Sequence, residues 1–123
     1  MAQTGLEMRV RLLSGHVVIM GPGRADLLMH IAQTGSIAAA GRQMGMSYKR
    51  AWALVEAMNA GFEGPLVAAT KGGAGGGGAH LTALGARVLA AYRGFEAQAM
   101  LAGKCFLDEL GAALAVPPGT KPG

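Results

Sequence analysis

The sequence predicts a small, mainly α-helical domain of the α+β class, and three observations support that prediction. Two short helical stretches, at 36–44 and 47–60, follow one another across a glycine-containing turn, and each opens at a serine. Two short apolar strands at 66–81 then enclose a tip made almost wholly of glycine. Beyond that hairpin, apolar residues repeat at alternating intervals of four and three, which is the pattern of a long amphipathic helix.

Composition limits the chain to one small domain. Its 123 residues suffice for one core of ordinary size but not for two. Hydrophobic residues make up 51%, yet no stretch approaches the ~20 apolar residues that span a bilayer, so we expect no membrane partner. The N-terminus lacks the pattern of a signal peptide, and the single cysteine, Cys105, fits a reducing cytoplasm.

The N-terminal region predicts a hairpin followed by a helix. Apolar and β-branched residues at 8–13 and 17–20 flank a Ser-Gly turn, which indicates two strands. A Gly-Pro-Gly run breaks that pattern, and apolar residues at core spacing over 24–33 predict the first helix. Gly35 then stands where helices commonly end in a left-handed residue.

The central pair of helices is defined by its caps and by one apolar face on each helix. Ser36 and Ser47 each offer a hydroxyl that can accept a hydrogen bond from a free N–H of the first turn. Gly41 permits close contact between the first of these helices and a neighbour. The second helix should bury a stripe made of Ala51, Val55 and Met58. Its opposite face carries Tyr48, Lys49, Trp52 and Glu56.

Two helices joined by a tight turn and followed by a glycine-tipped hairpin form the layout of a winged helix-turn-helix, and such domains mostly bind DNA. The net charge of +4, from 11 Lys and Arg against 7 Asp and Glu, suits a polyanionic partner. The tip formally matches G-x-G-x-x-G over 73–78, but it opens no helix, so a dinucleotide site is a weaker interpretation than a wing. A disordered linker is the plainer alternative for the same glycines.

The last helix is expected to begin at Thr82, its N-cap, and to continue to residue 114. Its apolar stripe consists of Val88, Tyr92, Phe95, Ala99, Ala102 and Phe106. Because the short elements already close a core, this stripe predicts pairing with a second copy of the chain. The expected organisation is therefore a winged helix-turn-helix with its N-terminal hairpin at 1–81, a dimerisation helix at 82–114 and a disordered tail at 115–123.

Several short motifs are shared with one family of regulators. They are Ser36-Ile37, the Gly45-x-Ser-Tyr-Lys49 run, Ala51-Trp52, Met58-Asn59, Leu66-Val67 and Ala79-x-Leu-Thr82 after the glycine tip. Together they resemble the N-terminal DNA-binding domain of ModE-type, molybdate-responsive transcription regulators, within the wider LysR-like group, over about residues 8–110. The resemblance implies a role in molybdenum homeostasis. Full-length members carry molybdate- or tungstate-binding modules after the long helix, and the chain ends at Gly123, so we expect no oxyanion sensing and no cofactor.

The predicted DNA contacts centre on the second helix and the wing. The first turn of the second helix, behind the cap Ser47, should reach bases or phosphates in the major groove through Tyr48, Lys49 and Arg50. The wing should contact phosphates through backbone N–H groups and flanking side chains. The residues predicted for this role are Lys71, Gly75, Gly76 and His80.

Three further residues are candidate contacts with alternatives left open. Ser36 and Arg42 are predicted to touch the DNA backbone from the preceding helix, although Arg42 fits an ordinary surface arginine equally well. Trp52 either stacks on sugar and phosphate or caps the core beneath the wing with its indole N–H hydrogen-bonded.

Neither a catalytic constellation nor a metal site is expected. The histidines are far apart in sequence and show no ligand spacing with the cysteine, and the carboxylates do not pair beside a nucleophile. The preferred function is a homodimeric, sequence-specific transcription regulator that binds duplex DNA and is not an enzyme. The alternative is a protein-interaction winged helix that pairs with a full-length ModE-type regulator carrying the oxyanion sensor.

Overall fold

The fold is described here from a computed structural model, which covers Gly5, residues 7–70 and residues 78–115. In that part of the chain it contains five helices and two separate antiparallel hairpins, which confirms the predicted α+β winged helix-turn-helix. In chain order the elements are β1 (Leu12–Ser14), β2 (Val17–Met20), α1 (Pro22–Thr34), α2 (Ile37–Gln43), α3 (Tyr48–Gly61), β3 (Val67–Thr70), β4 (Gly78–Leu81), α4 (Ala83–Ala102) and α5 (Lys104–Ala112).

The helix boundaries follow the capping residues of the sequence. Ser36, Ser47 and Thr82 each accept a hydrogen bond from the backbone N–H three residues further on, at 3.1, 3.1 and 2.9 Å, so all three predicted N-caps are confirmed. Gly35 ends α1 with φ 70°, the left-handed conformation that glycine adopts without strain. Gly45 turns the chain between α2 and α3 with the same φ.

The core lies among α1, α2, α3 and the hairpin that follows α3. The predicted stripe of α3 is buried, as are the apolar residues that α1 contributes. A Cβ on Gly41 would stand 3.1 Å from the Cβ of Ala51, which confirms that this glycine allows α2 and α3 to approach closely. The buried hydrophobic residues are Met20, Ala25, Leu27, Leu28, Ile31, Ala40, Ala51, Val55, Met58, Leu66, Val67, Ala79 and Tyr92.

The first hairpin forms as predicted, but its first strand is shorter than the expected 8–13. The strand β1 begins only at Leu12, and the pairing with β2 is irregular between Leu12 and Leu13. Upstream of that irregularity, the carbonyl of Val10 accepts a hydrogen bond from the hydroxyl of Tyr92 at 2.6 Å. The Val10 carbonyl is therefore bonded to a helix side chain, and the ladder does not extend that far.

The predicted single helix over 82–114 is divided at Gly103. The helix α4 ends at Ala102, and α5 begins at Lys104. Gly103 has ψ −3°, far from the value of about −42° that an α-helix requires. Glycine also has a low intrinsic helix propensity, so it is a natural point for the interruption.

Part of the predicted dimer seam packs within the protomer instead. Tyr92 is 8% exposed, and Val88 packs against the same buried cluster. The chain accordingly forms two compact units, one at Arg9–Tyr92 and a second that contains α4 from Arg93 onward together with α5. Of the predicted disordered tail at 115–123, the residues from 116 onward lie outside the described residues.

Candidate nucleic-acid interface

The outer face of α3 carries the side chains that were predicted to reach DNA. Tyr48, Lys49, Arg50 and Trp52 are all exposed, with Tyr48 at 57% and Trp52 at 47%. Because the stripe of Ala51, Val55 and Met58 is buried, a broad outer face of α3, which extends from Arg50 on one side to Trp52 on the other, is available for a ligand. The exposure of this face agrees with the prediction, and its contact with DNA stays a prediction.

The tight turn before α3 fixes how the helix projects from the domain. The N–H of Met46 donates to the carbonyl of Gly41 at 2.9 Å, and the left-handed Gly45 reverses the chain between them. Ser47 then caps the helix, so the first turn of α3 begins immediately after the turn. The N-terminal end of α3 therefore stands at the surface with its cationic residues exposed.

Asn59 connects the far part of α3 to the start of the wing. Its Oδ1 accepts hydrogen bonds from the N–H groups of Leu66 and Val67 at 2.8 and 3.1 Å. Its Nδ2 donates to the carbonyl of Val67 at 3.1 Å. The sequence reasoning included Asn59 only within a shared motif and did not predict this role, because no periodic pattern marks it.

The second strand of the wing, β4, is hydrogen-bonded to the residue that ends α1. The N–H of Ala79 donates to the carbonyl of Gly35 at 2.9 Å, and a Cβ on Gly78 would come within 2.6 Å of that same oxygen. The Oγ1 of Thr82 donates to the carbonyl of Pro65 at 2.7 Å. The base of the wing is thus fixed against the helices at both of its strands.

The tip of the wing lies outside the described residues. The predicted contacts at Lys71, Gly75 and Gly76 fall on it and stay predictions. His80, the remaining wing residue of that set, is exposed on β4, and its Nδ1 lies 2.8 Å from the Oγ1 of Thr70 in a hydrogen bond across the hairpin.

A cleft of about 370 Å³ separates α3 from the wing. Trp52 forms part of its wall together with Tyr48, Glu56 and the strand residue Ala68. In the described part of the chain, the indole N–H of Trp52 donates to no protein group. Trp52 is therefore partly packed, its indole N–H is not bonded within the described residues, and its ring is accessible from the cleft.

A smaller cleft of about 130 Å³ brings Ser36 and Tyr48 together with the start of β4 at Gly78. The hydroxyl oxygen of Ser36 already accepts the capping hydrogen bond, while its proton is engaged by no partner in the described residues. Arg42 lies apart, exposed in the last turn of α2. The structure therefore groups Ser36 with Tyr48 on the exposed face of α3, and Arg42 lies outside that cleft.

The sequence reasoning missed a set of arginines on the other side of α3. Arg50 shares a cleft with Arg9, Arg11 and Arg24. Arg9 and Arg11 lie just before β1, and Arg24 lies in the first turn of α1. These residues come from segments that only the fold brings together, so no local sequence pattern marked them. Among the described residues, no group of histidine, cysteine and carboxylate side chains is arranged to hold a metal ion, and no helix has the length and apolar character to cross a bilayer.

Comparison with known proteins adds independent information. Residues 24–86, about half of the 123-residue chain, match the family described as bacterial regulatory helix-turn-helix protein, lysR family. The molybdenum-pterin-binding protein MopB of Rhodobacter capsulatus is 51% identical over 78 residues, covering 63% of this chain and 29% of that protein. The DNA-binding transcriptional dual regulator ModE of Escherichia coli K12 is 46% identical over 71 residues, covering 58% of this chain and 27% of that protein.

These relatives confirm the resemblance to ModE-type regulators that the sequence motifs indicated. The chain spans less than a third of the length of each of the two proteins. The matched family segment includes α1, α2, α3 and the wing strands, which are the elements that build the candidate interface. The chain belongs to the LysR family of bacterial regulatory helix-turn-helix proteins, a family of DNA-binding transcription regulators.

Proposed function

We propose that this chain is a transcription regulator that binds duplex DNA by placing the first turns of α3 in the major groove. The observation that carries the proposal is the exposed face of α3, where Tyr48, Lys49 and Arg50 follow a capped helix start beside the wing. An α-helix fits the major groove, and residues near the start of a recognition helix usually contact base edges. Such a protein binds DNA in the bacterial cytoplasm and is not an enzyme.

Each part of the interface has a distinct chemical role in this proposal. Lys49 and Arg50 supply charge to phosphates or to guanine acceptors, and Arg50 can bond a guanine through two N–H groups. The rings of Tyr48 and Trp52 offer apolar contact to a thymine methyl group or to sugar. The wing lies on the backbone, where glycine allows close approach and backbone N–H groups donate to phosphate.

We also propose that the chain acts as a homodimer on a palindromic site. In the second compact unit, several large apolar side chains are exposed on α4 and α5. They are Phe95, Met100, Leu101, Phe106 and Leu110. A two-fold pairing of these helices covers the apolar residues and presents two recognition helices to two half-sites. A longer ModE-type regulator is the alternative partner for the same surface.

The decisive experiment compares two double variants on a duplex that the wild-type protein selects from a random pool. Lys49→Ala with Arg50→Ala should keep the wild-type circular dichroism spectrum and lose about 1–3 kcal/mol of binding free energy for each base contact removed. Arg87→Ala with Lys104→Ala removes the same charge from exposed positions on α4 and α5 and serves as the matched control. We expect the control to lose much less affinity.

Two results would count against the proposal. Equal losses in the two double variants would mean that net charge alone accounts for the binding and that α3 does not read the groove. A folded wild-type protein that shifts no duplex even at low salt, where phosphate attraction is strongest, would favour the protein-interaction alternative.

A further inference from the structure

A cleft lined by arginines lies on the side of α3 away from the wing. Its volume is about 520 Å³, and Arg9, Arg11, Arg24 and Arg50 all contribute to its wall. Among the described residues that line it, none is a carboxylate. Arginine presents a planar fork of N–H donors that matches the oxygens of a phosphate group, so this wall has the chemistry of an anion site.

The start of α1 adds to the positive potential of this arginine cleft. Gly21 is the N-cap and supplies no side-chain acceptor, Pro22 opens the helix, and the first turn contains no acidic residue. Gly21, Pro22 and Gly23 all line the cleft. The uncapped N–H groups and the positive end of the helix dipole therefore act in the same direction as the guanidinium groups.

Two of the arginines are positioned by contacts that leave donors available. Arg24 donates from one terminal nitrogen to the carbonyls of Val18 and Ile19 at 2.9 and 3.0 Å. Because a guanidinium carries five N–H donors, these two bonds use only part of its capacity. Arg11 is exposed, and its Cγ would lie 3.9 Å from a Cβ on Gly21, so its aliphatic stem runs beside the start of α1.

We propose that the arginine cleft binds a backbone phosphate of duplex DNA on the side of the major groove opposite the wing. The inference rests on the proposed function, because Arg50 joins this cleft to α3. Arg50 and Trp52 are two residues apart, which sets their side chains about 200° apart around the helix. Arg50 lines the arginine cleft, whereas Trp52 lines the cleft beside the wing.

This placement matches the form of the major groove. A groove about 12 Å wide that admits a helix is bordered by one phosphate backbone on each side. With α3 in the groove, the wing faces one backbone and the arginine cleft faces the other. The N-terminal hairpin then has a direct part in DNA binding, since it supplies Arg11 and is held to α1 by Arg24.

The substitution Arg11→Gln tests the proposal with the least disturbance of the fold. It removes one charge from the cleft, keeps most of the stem beside Gly21 and leaves the hydrogen bonds of Arg24 in place. The matched control is Arg87→Gln, on α4, where the exposed arginine pairs with Glu63 at 3.3 Å among the described residues. Both are measured on the wild-type-selected duplex with flanks of about one helical turn, so that the phosphates on both sides of the groove are present.

On the flanked duplex, Arg11→Gln should reduce the slope of log affinity against log salt by about 0.9, the value for one lost phosphate contact. Arg87→Gln should keep the wild-type slope. An unchanged slope for Arg11→Gln on the flanked duplex, or an equal change in both variants, overturns the inference.

A titration with inorganic phosphate tests whether the arginine cleft binds a free anion instead of a phosphate of the DNA backbone. Saturable phosphate binding that Arg11→Gln abolishes, with no change in the DNA salt slope, would assign the cleft to a free anion and overturn the DNA contact. The absence of duplex binding by the wild-type protein would overturn the proposed function together with this inference. Wild-type binding that Arg11→Gln leaves unchanged would overturn this inference alone.

Discussion

Asn59 sets the position of the wing relative to α3, the proposed recognition helix. Its amide oxygen takes two backbone N–H groups, and its amide nitrogen reaches the carbonyl of Val67. Only an amide side chain offers acceptor and donor together at this length. Because Asn59 lies on the same helix as Tyr48 and Trp52, a single residue links the aromatic face of α3 to the strand that leads to the wing tip.

Substitution of Asn59 should therefore lower the free energy of unfolding by an amount that depends on which of its hydrogen bonds are lost. Asn59→Ala leaves the N–H of the fully buried Leu66 without its partner, and an unsatisfied buried group costs about 1–3 kcal/mol. Asn59→Asp turns a second carboxylate oxygen toward the Val67 carbonyl, which is unfavourable. It also keeps an acceptor for both N–H groups, and its charge strengthens those two bonds, so its free energy of unfolding should fall by less than in Asn59→Ala. Urea denaturation measures both losses, and amide hydrogen exchange should show faster exchange at Leu66 and Val67 in Asn59→Ala. Identical losses, or unchanged protection at those two amides, would contradict this role.

At the scale of elements, the features predicted correctly from the sequence are those that depend on residues close together in the chain. The serine and threonine caps at 36, 47 and 82 are confirmed because a cap depends on a hydroxyl and an N–H three residues away. The buried stripe of α3 is confirmed because helix periodicity determines it. The exposed face of α3 follows from the same periodicity, so the surface proposed to contact DNA could be predicted without the structure.

The features that sequence reasoning missed depend on how the elements meet. The length of β1 is limited by a hydroxyl from Tyr92, which is 82 residues away from its acceptor Val10. The same contact places Tyr92 in the protomer core, although its heptad spacing fits a dimer seam. The arginine cleft likewise draws on the segment before β1, on β2, α1 and α3, and no single segment of the sequence contains its pattern.

Two glycines in α4 give opposite predictions for the same substitution. A Cβ on Gly85 would lie 2.0 Å from the carbonyl oxygen of Leu66, so the helix rests directly on the backbone before β3. A Cβ on Gly94 would meet nothing within 4 Å. Alanine has the higher helix propensity, by about 1 kcal/mol, so Gly94→Ala should stabilise the protein by up to that amount.

Gly85→Ala should instead destabilise the protein, because the new Cβ would meet the backbone of Leu66, which cannot move aside as a flexible side chain can. Forced overpacking typically costs about 1–3 kcal/mol, which exceeds the gain in propensity. Thermal denaturation of the two variants beside the wild-type protein measures the difference. A Gly85→Ala variant as stable as Gly94→Ala would show that α4 does not pack this closely on the Leu66 backbone.

At the scale of the whole molecule, the exposed apolar residues of α4 and α5 are the strongest reason to expect a dimer. Phe95 is 59% exposed, Phe106 is 70% exposed and Leu110 is 64% exposed. Soluble monomers rarely leave large contiguous apolar patches uncovered. Val88 and Tyr92 serve the protomer core, so the seam available to a second copy begins at Phe95.

The dimer proposal predicts that charge on this seam separates the protomers. Phe95→Asp with Phe106→Asp places four carboxylates per dimer against apolar surface, where unpaired charge is strongly unfavourable. Ala97→Asp with Ala112→Asp adds the same charge at exposed positions, and Ala97 lies about 200° around the helix from Phe95. Light scattering should report dimers for the wild-type protein and this control, and monomers for the seam variant.

Binding to a palindromic duplex should fall far more in the seam variant than binding to a single half-site, because only the palindrome gains from two linked recognition helices. A seam variant that stays dimeric with full affinity would place the interface elsewhere and remove the proposed role of Phe95 and Phe106.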